Sequence, residues 1–260
     1  TSTTTTDDDT TKEQNNINND DDKISTALSI AMLRPSMVPI ANVMNEFDRR
    51  VIQHGEDPSK VRDDLLQSLD DEGERCVELG VETVLIYYEK RHQPQTLEVN
   101  PLPFSDTAEC FVVGTFSRSS TLKSILGRVL QTASSLTHTT KVKVVCSQST
   151  PGDEGILLAS DIPDATYLPD KSFQQSIKEG KIDLVLVGAD CVLLPEGEKK
   201  GVVVNKVGTA ALAECCKRSD VPIVCCADRW KLWEDDDPPG LEDIFELVGC
   251  EMLDHVLVPS

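Results

Sequence analysis

Two periodicities divide this chain. From Ile24 onward apolar residues recur at helical spacing: Ile24, Leu28, Ile30, Ala31 and Leu33, then Val38, Ile40, Val43, Met44 and Phe47. Pro35 and Pro39 punctuate the run, which predicts two helical segments joined at Arg34-Pro35-Ser36. A further helix is expected from Asp57-Pro58-Ser59, where Asp or Ser can cap and Pro suits a first turn. Val61, Leu65, Leu66, Leu69, Cys76, Val77 and Leu79 continue it, and Gly80 is a natural stop. Val84 to Tyr88 is β-branched and aromatic and fits either helix or strand. Residues 91–108 hold Pro94, Pro101 and Pro103 among few apolar side chains and read as a loop or insertion.

Beyond Thr107 the pattern changes. Short apolar runs occur at Cys110–Val113, Val142–Cys146, Ile182–Val187 and Val221–Cys226, with weaker ones at Ala165–Leu168 and His255–Val258. Helical stretches lie between them: Ser119–Thr132, Gly155–Ser160, Ser172–Glu179, Asn205–Ser219 and Leu241–Val248. Near-continuous apolar strands alternating with helices mark a parallel sheet covered on both faces. The expected architecture is α/β: a helical N-terminal subdomain with its loop over 24–108, then a doubly wound, Rossmann-like domain with a mostly parallel sheet over 109–260. Residues 1–23 are mostly Thr, Asp and Asn and are expected to form a disordered polar leader, unable to bury enough apolar surface to offset chain entropy. The numbering opens on Thr1 and is expected to begin inside a longer precursor.

Charge narrows the partners. Against 45 Asp and Glu stand 25 Lys and Arg, a formal charge of −20. Nucleic acid and anionic membrane both need a cationic face, so neither is expected as a partner. No apolar run approaches the roughly 20 residues that span a bilayer. The 9 cysteines include no CxxC pair and do not cluster with the four histidines, so they read as buried, reduced thiols of a cytoplasmic protein. Nothing calls for a metal or another cofactor. Asp235-Asp236-Asp237 lacks the spacing of a calcium loop and reads as a solvated turn.

Candidate chemistry follows the strands, because open α/β sheets bind ligands beyond their carboxyl ends, near helix N-termini. After the first strand comes Ser117-Arg118-Ser119-Ser120, either a phosphate cradle or simple capping by Ser119 or Ser120. After the second, Gln148-Ser149-Thr150-Pro151-Gly152 is ordinary turn chemistry by itself. Gly188-Ala189-Asp190 is more informative, since an ionised carboxylate ending a buried strand needs partners. Asn205 and Lys206, placed at the start of a helix, offer a donor and a cation to an anionic ligand. Asp190 and Lys206 fit an acid/base pair for moving a proton next to a carbonyl, or a structural ion pair that fixes the loop. Trp230 and Trp233 flank Lys231 and are expected to pack the sheet end.

These residues resemble a known family. "FSRSST", the Pro-Gly-x-Glu-Gly turn, "DLVLVGAD", "GVVVNKVGTAALA" and "VPIVCCADRWKLW" look like the initiation factor 2B alpha/beta/delta-related family. It includes regulatory subunits of translation initiation factor 2B and isomerases of methylthioribose-1-phosphate and ribose-1,5-bisphosphate. The resemblance implies a ribose-5-phosphate isomerase/CoA-transferase-like fold and assembly as a homo-oligomer, dimer or higher. Other initiation-factor subunits are implied as partners and a sugar phosphate as ligand. In the isomerases an aspartate and a cysteine form the acid/base pair; Asp190 matches the first, and Ser117 falls at the second. The family's Glu-x-Arg-Pro loop is here Gln148-Ser149-Thr150-Pro151, and its phosphate-binding Arg-Gly-Ala segment is not visible. Asn205 and Lys206 match the substrate-contacting pair, with Arg118, Ser119, Ser120, Gln148 and Gly188 expected alongside as ligand contacts. The expectation is a regulatory-subunit-like, non-catalytic protein that binds a sugar phosphate, or else an aldose–ketose isomerase with an altered site.

Overall fold

A computed structural model describes residues 37–92, 110–135, 141–194, 200–234 and 239–259. The expected polar leader, the helix before Pro35, the loop from residue 93 onward and the Asp235–Asp237 turn lie outside them. Helix α1 (Val38–Asp48) runs into one wider turn at Arg49–Gln53, and α2 spans Pro58–His92. Asp57 caps α2, accepting from the Lys60 N–H at 3.0 Å.

Helix α2 corrects one expectation and settles another. Gly80 does not end it, and Val84 to Tyr88 is helical throughout. The glycine is there for contact: an added Cβ would stand 2.9 Å from Ile125 Cγ1. Its missing side chain lets α2 lie close against α3 (Ser120–Ser135). In the 84–88 stretch Val84 and Tyr88 turn inward and are fully buried, while Ile86 stands exposed. Tyr88 meets Phe111 edge-on, with ring centroids 5.6 Å apart.

Six strands form one parallel sheet: β1 (Cys110–Phe116), β2 (Lys141–Ser147), β3 (Thr166–Leu168), β4 (Leu184–Val187), β7 (Ile223–Cys226) and β10 (His255–Leu257). Their order is β10-β7-β4-β1-β2-β3. The chain winds outward from β1 in one direction, then returns to β4 and winds the other way. This doubly wound order leaves a crevice between the carboxyl ends of β1 and β4. Alternating residues feed two cores: Leu184 and Leu186 face helices α2, α3 and α4 (Glu154–Asp161), while Val185 and Val187 face α5 (Asp170–Lys178) and α6 (Thr209–Arg218). All four β4 residues are buried, which is why the strand reads as a continuous apolar run.

A second sheet was not expected. β5 (Cys191–Leu193) and β6 (Val202–Lys206) pair antiparallel, and β8 (Leu232–Trp233) and β9 (Phe245–Gly249) complete the order β8-β5-β6-β9. Two helix assignments fall with it. Asn205 and Lys206 end strand β6, and the helix opens only at Thr209, because Gly208 at φ 106° breaks the chain direction. The stretch expected as a helix from Leu241 to Val248 instead supplies β9. Trp233 packs with Val38, Cys191, Val204 and Phe245, and the Asn42 amide donates to the carbonyls of Trp230 and Leu232, both at 2.7 Å. No helix among the described residues is long and apolar enough to cross a membrane.

Candidate functional site

The crevice between β1 and β4 gathers the turns that follow β1, β2 and β4 and the end of β6. Ser117 leaves β1 in the left-handed conformation, φ 67°, and its N–H donates to Ser149 Oγ at 2.7 Å. Ser149, fully buried after β2 and left-handed itself, donates in turn to the Ser147 carbonyl at 3.0 Å. Two hydroxyl residues thus lock the β1 and β2 turns together.

Asp170 secures the second turn from below. Its carboxylate accepts from Ser147 Oγ and the Ser149 N–H, and from the N–H and Oγ1 of Thr150. Burial opposes its charge, but these four bonds outweigh burial and hold the carboxyl below the usual carboxylate range.

Lys206 enters from β6. Its side chain is 6% exposed, and its Nζ donates to the Ser149 carbonyl at 2.7 Å and to Glu154 Oε2 at 3.0 Å. The same Oε2 accepts from Ser117 Oγ at 2.8 Å. Ser117 and Lys206, 89 positions apart, therefore meet on one carboxylate. The carboxylate on this ammonium belongs to Glu154, the first residue of α4, within the Pro-Gly-Asp-Glu-Gly turn. Gly152 turns the chain at φ 99°, a conformation that favours glycine.

Asp190 is half-buried just beyond β4, and its N–H donates to the Val204 carbonyl at 2.9 Å, setting its backbone beside Asn205. Asn205 is 4% exposed, and its Nδ2 is buried without a hydrogen-bond partner. Such an orphaned donor is costly unless something else satisfies it. Gly188 packs on Ser119, which an added Cβ would approach to 3.2 Å.

The other candidates lie on the turns after β1 and β2. Arg118 pairs with Asp161 at 2.9 Å, Ser119 Oγ accepts from the Leu122 N–H at 3.3 Å, Ser120 opens α3, and Gln148 donates to Asp153 at 2.8 Å. Of the expected ligand contacts, Gly188, Asn205 and Lys206 are buried. The sequence reading missed Glu154, Ser149 and Asp170. Glu154 carried a signal, an acidic residue opening a helix directly beyond a strand turn; the other two carried none.

No thiol stands in for Ser117. All nine cysteines are unpaired, and burial, with Asp190 adding to it, pushes the neighbouring Cys191 up to about 12. Burial likewise raises Cys146, at the end of β2, to about 12. Neither is a thiolate at neutral pH.

The pattern of the initiation factor 2 subunit family, IF-2B, matches residues 3–237. Ribose 1,5-bisphosphate isomerase of Methanocaldococcus jannaschii is 34% identical over 94 residues, which are 35% of this chain and 28% of that protein. The match therefore spans under a third of that relative's length. Among solved structures, translation initiation factor eIF-2B of Pyrococcus horikoshii OT3 superposes with a TM-score of 0.63 at 18% identity, covering 90% of this chain and 79% of the other. The tetrameric eIF2B-beta2-delta2 complex from C. thermophilum follows at 0.60 and 14%, covering 90% of this chain and 73% of that one. These likenesses show the fold. With the family pattern running through most of its length, the chain belongs to the initiation factor 2 subunit family.

Proposed function

We propose that this protein is a non-catalytic, regulatory-subunit-like member of its family, acting in translation initiation in the cytoplasm through protein partners, with a cleft that binds a sugar phosphate without turning it over. The observation that carries this reading is the Ser117–Glu154–Lys206 contact. Aldose–ketose isomerisation moves a proton between adjacent carbons and needs an acid and a base poised near neutral pH. A serine hydroxyl at the thiol's place titrates far above a cysteine, and here its proton is already donated to Glu154. Where the isomerases pair their aspartate with a cysteine, this chain carries Ser117.

Assembly has a surface to use. Val207, Leu241, Ile244 and Leu247 are 37–44% exposed around the outer strand β9, with Val207 bonded to the Ile244 carbonyl. A second copy, or another initiation-factor subunit, would cover this apolar edge. The alternative, an isomerase with altered chemistry, draws on the half-buried Asp190 and the orphaned Asn205 amide. Turnover separates the two. Incubated at high concentration with ribose 1,5-bisphosphate and with methylthioribose 1-phosphate, the protein is expected to form no ketose above the buffer rate by phosphorus NMR. Ketose formation that disappears in Asp190→Asn would overturn the non-catalytic reading.

A further inference from the structure

We propose that Glu154 sets which ligands the cleft accepts: it holds Lys206 neutralised, and a phosphomonoester binds by displacing the Glu154 carboxylate from the ammonium. This rests on the sugar-phosphate reading above and adds a specificity residue to it.

The pairing is lopsided in a way that suits displacement. Lys206 is 6% exposed at its side chain, whereas Glu154 is 41% exposed. The cation is fixed in the wall and the carboxylate stands at the mouth. The Glu154 backbone stays anchored when the side chain leaves, because the adjacent Gly155 N–H donates to the Gln148 carbonyl at 3.1 Å. Only side-chain torsions need change.

What Glu154 leaves behind is a charged, unbalanced pocket. Lys206 keeps the neutral Ser149 carbonyl, and an ammonium has three protons to give. Ser117 Oγ loses its acceptor at the same moment. A phosphate monoester brings what these groups want: negative charge and several acceptor oxygens, through charge-assisted bonds stronger than neutral ones. A carboxylate tethered in place competes at an effective concentration in the millimolar range or higher, so it depresses the affinity of any free anion.

The test is calorimetric titration of the intact chain with inorganic phosphate, then with ribose 5-phosphate, at fixed pH and ionic strength. Glu154→Gln keeps the side chain's shape and removes its charge. It is expected to bind inorganic phosphate at least tenfold more tightly than the wild type. Ser117→Ala, which leaves the ion pair in place but removes one donor to the phosphate, is expected to weaken binding and not to reproduce the Glu154→Gln gain. Adding Lys206→Met to Glu154→Gln is expected to abolish the gain. An affinity for Glu154→Gln within twofold of wild type, no detectable binding by either form, or a gain that survives in the double variant would each overturn the proposal. Circular dichroism confirms that each variant is folded. Because turnover plays no part in this readout, failure here leaves the non-catalytic reading standing, and detection of turnover leaves this one standing.

Discussion

Asp183→Ala is expected to cost about 3–5 kcal/mol of stability, the usual penalty for leaving one member of a buried ion pair alone. Asp183 is 5% exposed at its side chain and pairs through Oδ1 with Arg91 in the last turn of α2. Its Oδ2 accepts from the Val112 N–H at 2.7 Å, and its own N–H donates back to the Val112 carbonyl at 2.9 Å. One carboxylate thus clamps the long helix to two neighbouring strands of the sheet. Alanine would strand a guanidinium that is 17% exposed and remove an acceptor from a strand amide. Against a typical domain stability of about 5–15 kcal/mol the loss is large. Urea titration of both proteins measures it, with Asp183→Asn as the milder comparison because it keeps an acceptor for Val112. A loss below about 1 kcal/mol would show that the helix is held to the sheet by apolar packing alone.

Gly155→Ala is the second large effect, expected at about 2–3 kcal/mol, in the range for side chains forced into filled space. A Cβ at this position would overlap the Ser147 carbonyl oxygen and stand 2.8 Å from its carbon. Main chain on both sides leaves no torsion to relieve the clash, so α4 must move off β2. Gly73, inside α2 with nothing within 4 Å of an added Cβ, is the control. There alanine is expected to leave stability unchanged or raise it by up to about 1 kcal/mol, through helix propensity. Equal effects at the two sites in thermal melts would contradict the packing argument.

The parallel sheet was legible because burial on both faces writes strands as unbroken apolar runs. Leu184–Val187 and Ile223–Cys226 are wholly buried and stand out by composition alone. The second sheet hid for the opposite reason. Cys191–Leu193 is three residues long, and the β-branched run Val202–Val204 ends in Asn205-Lys206, which look like a helix opening. The break falls two residues later, at Gly208, whose positive φ the sequence does not announce. Gly80 misled in the same way, since a glycine that admits Ile125 looks like one that ends a helix.

The site was legible one residue at a time. Strand ends pointed to Ser117 and Asp190, and an expected helix opening to Asn205 and Lys206, but nothing local joins Lys206 to Glu154, 52 positions earlier. That pairing comes from the doubly wound topology, which sets the turn after β2 beside the end of β6. It also changes what the retained lysine means. A cation kept for a ligand and a cation already matched by the chain's own carboxylate look identical in sequence, and they differ in what they leave for an incoming phosphate.

Glu154 and Lys206 are expected to be energetically coupled across the cleft. A double-mutant cycle on stability, using Glu154→Gln, Lys206→Met and the pair of them together in urea at low salt, measures that coupling directly. A hydrogen-bonded pair with one member buried is expected to show at least about 1 kcal/mol. Strict additivity of the two substitutions, within about 0.3 kcal/mol, would mean that the contact does not constrain the lysine, and would contradict the account.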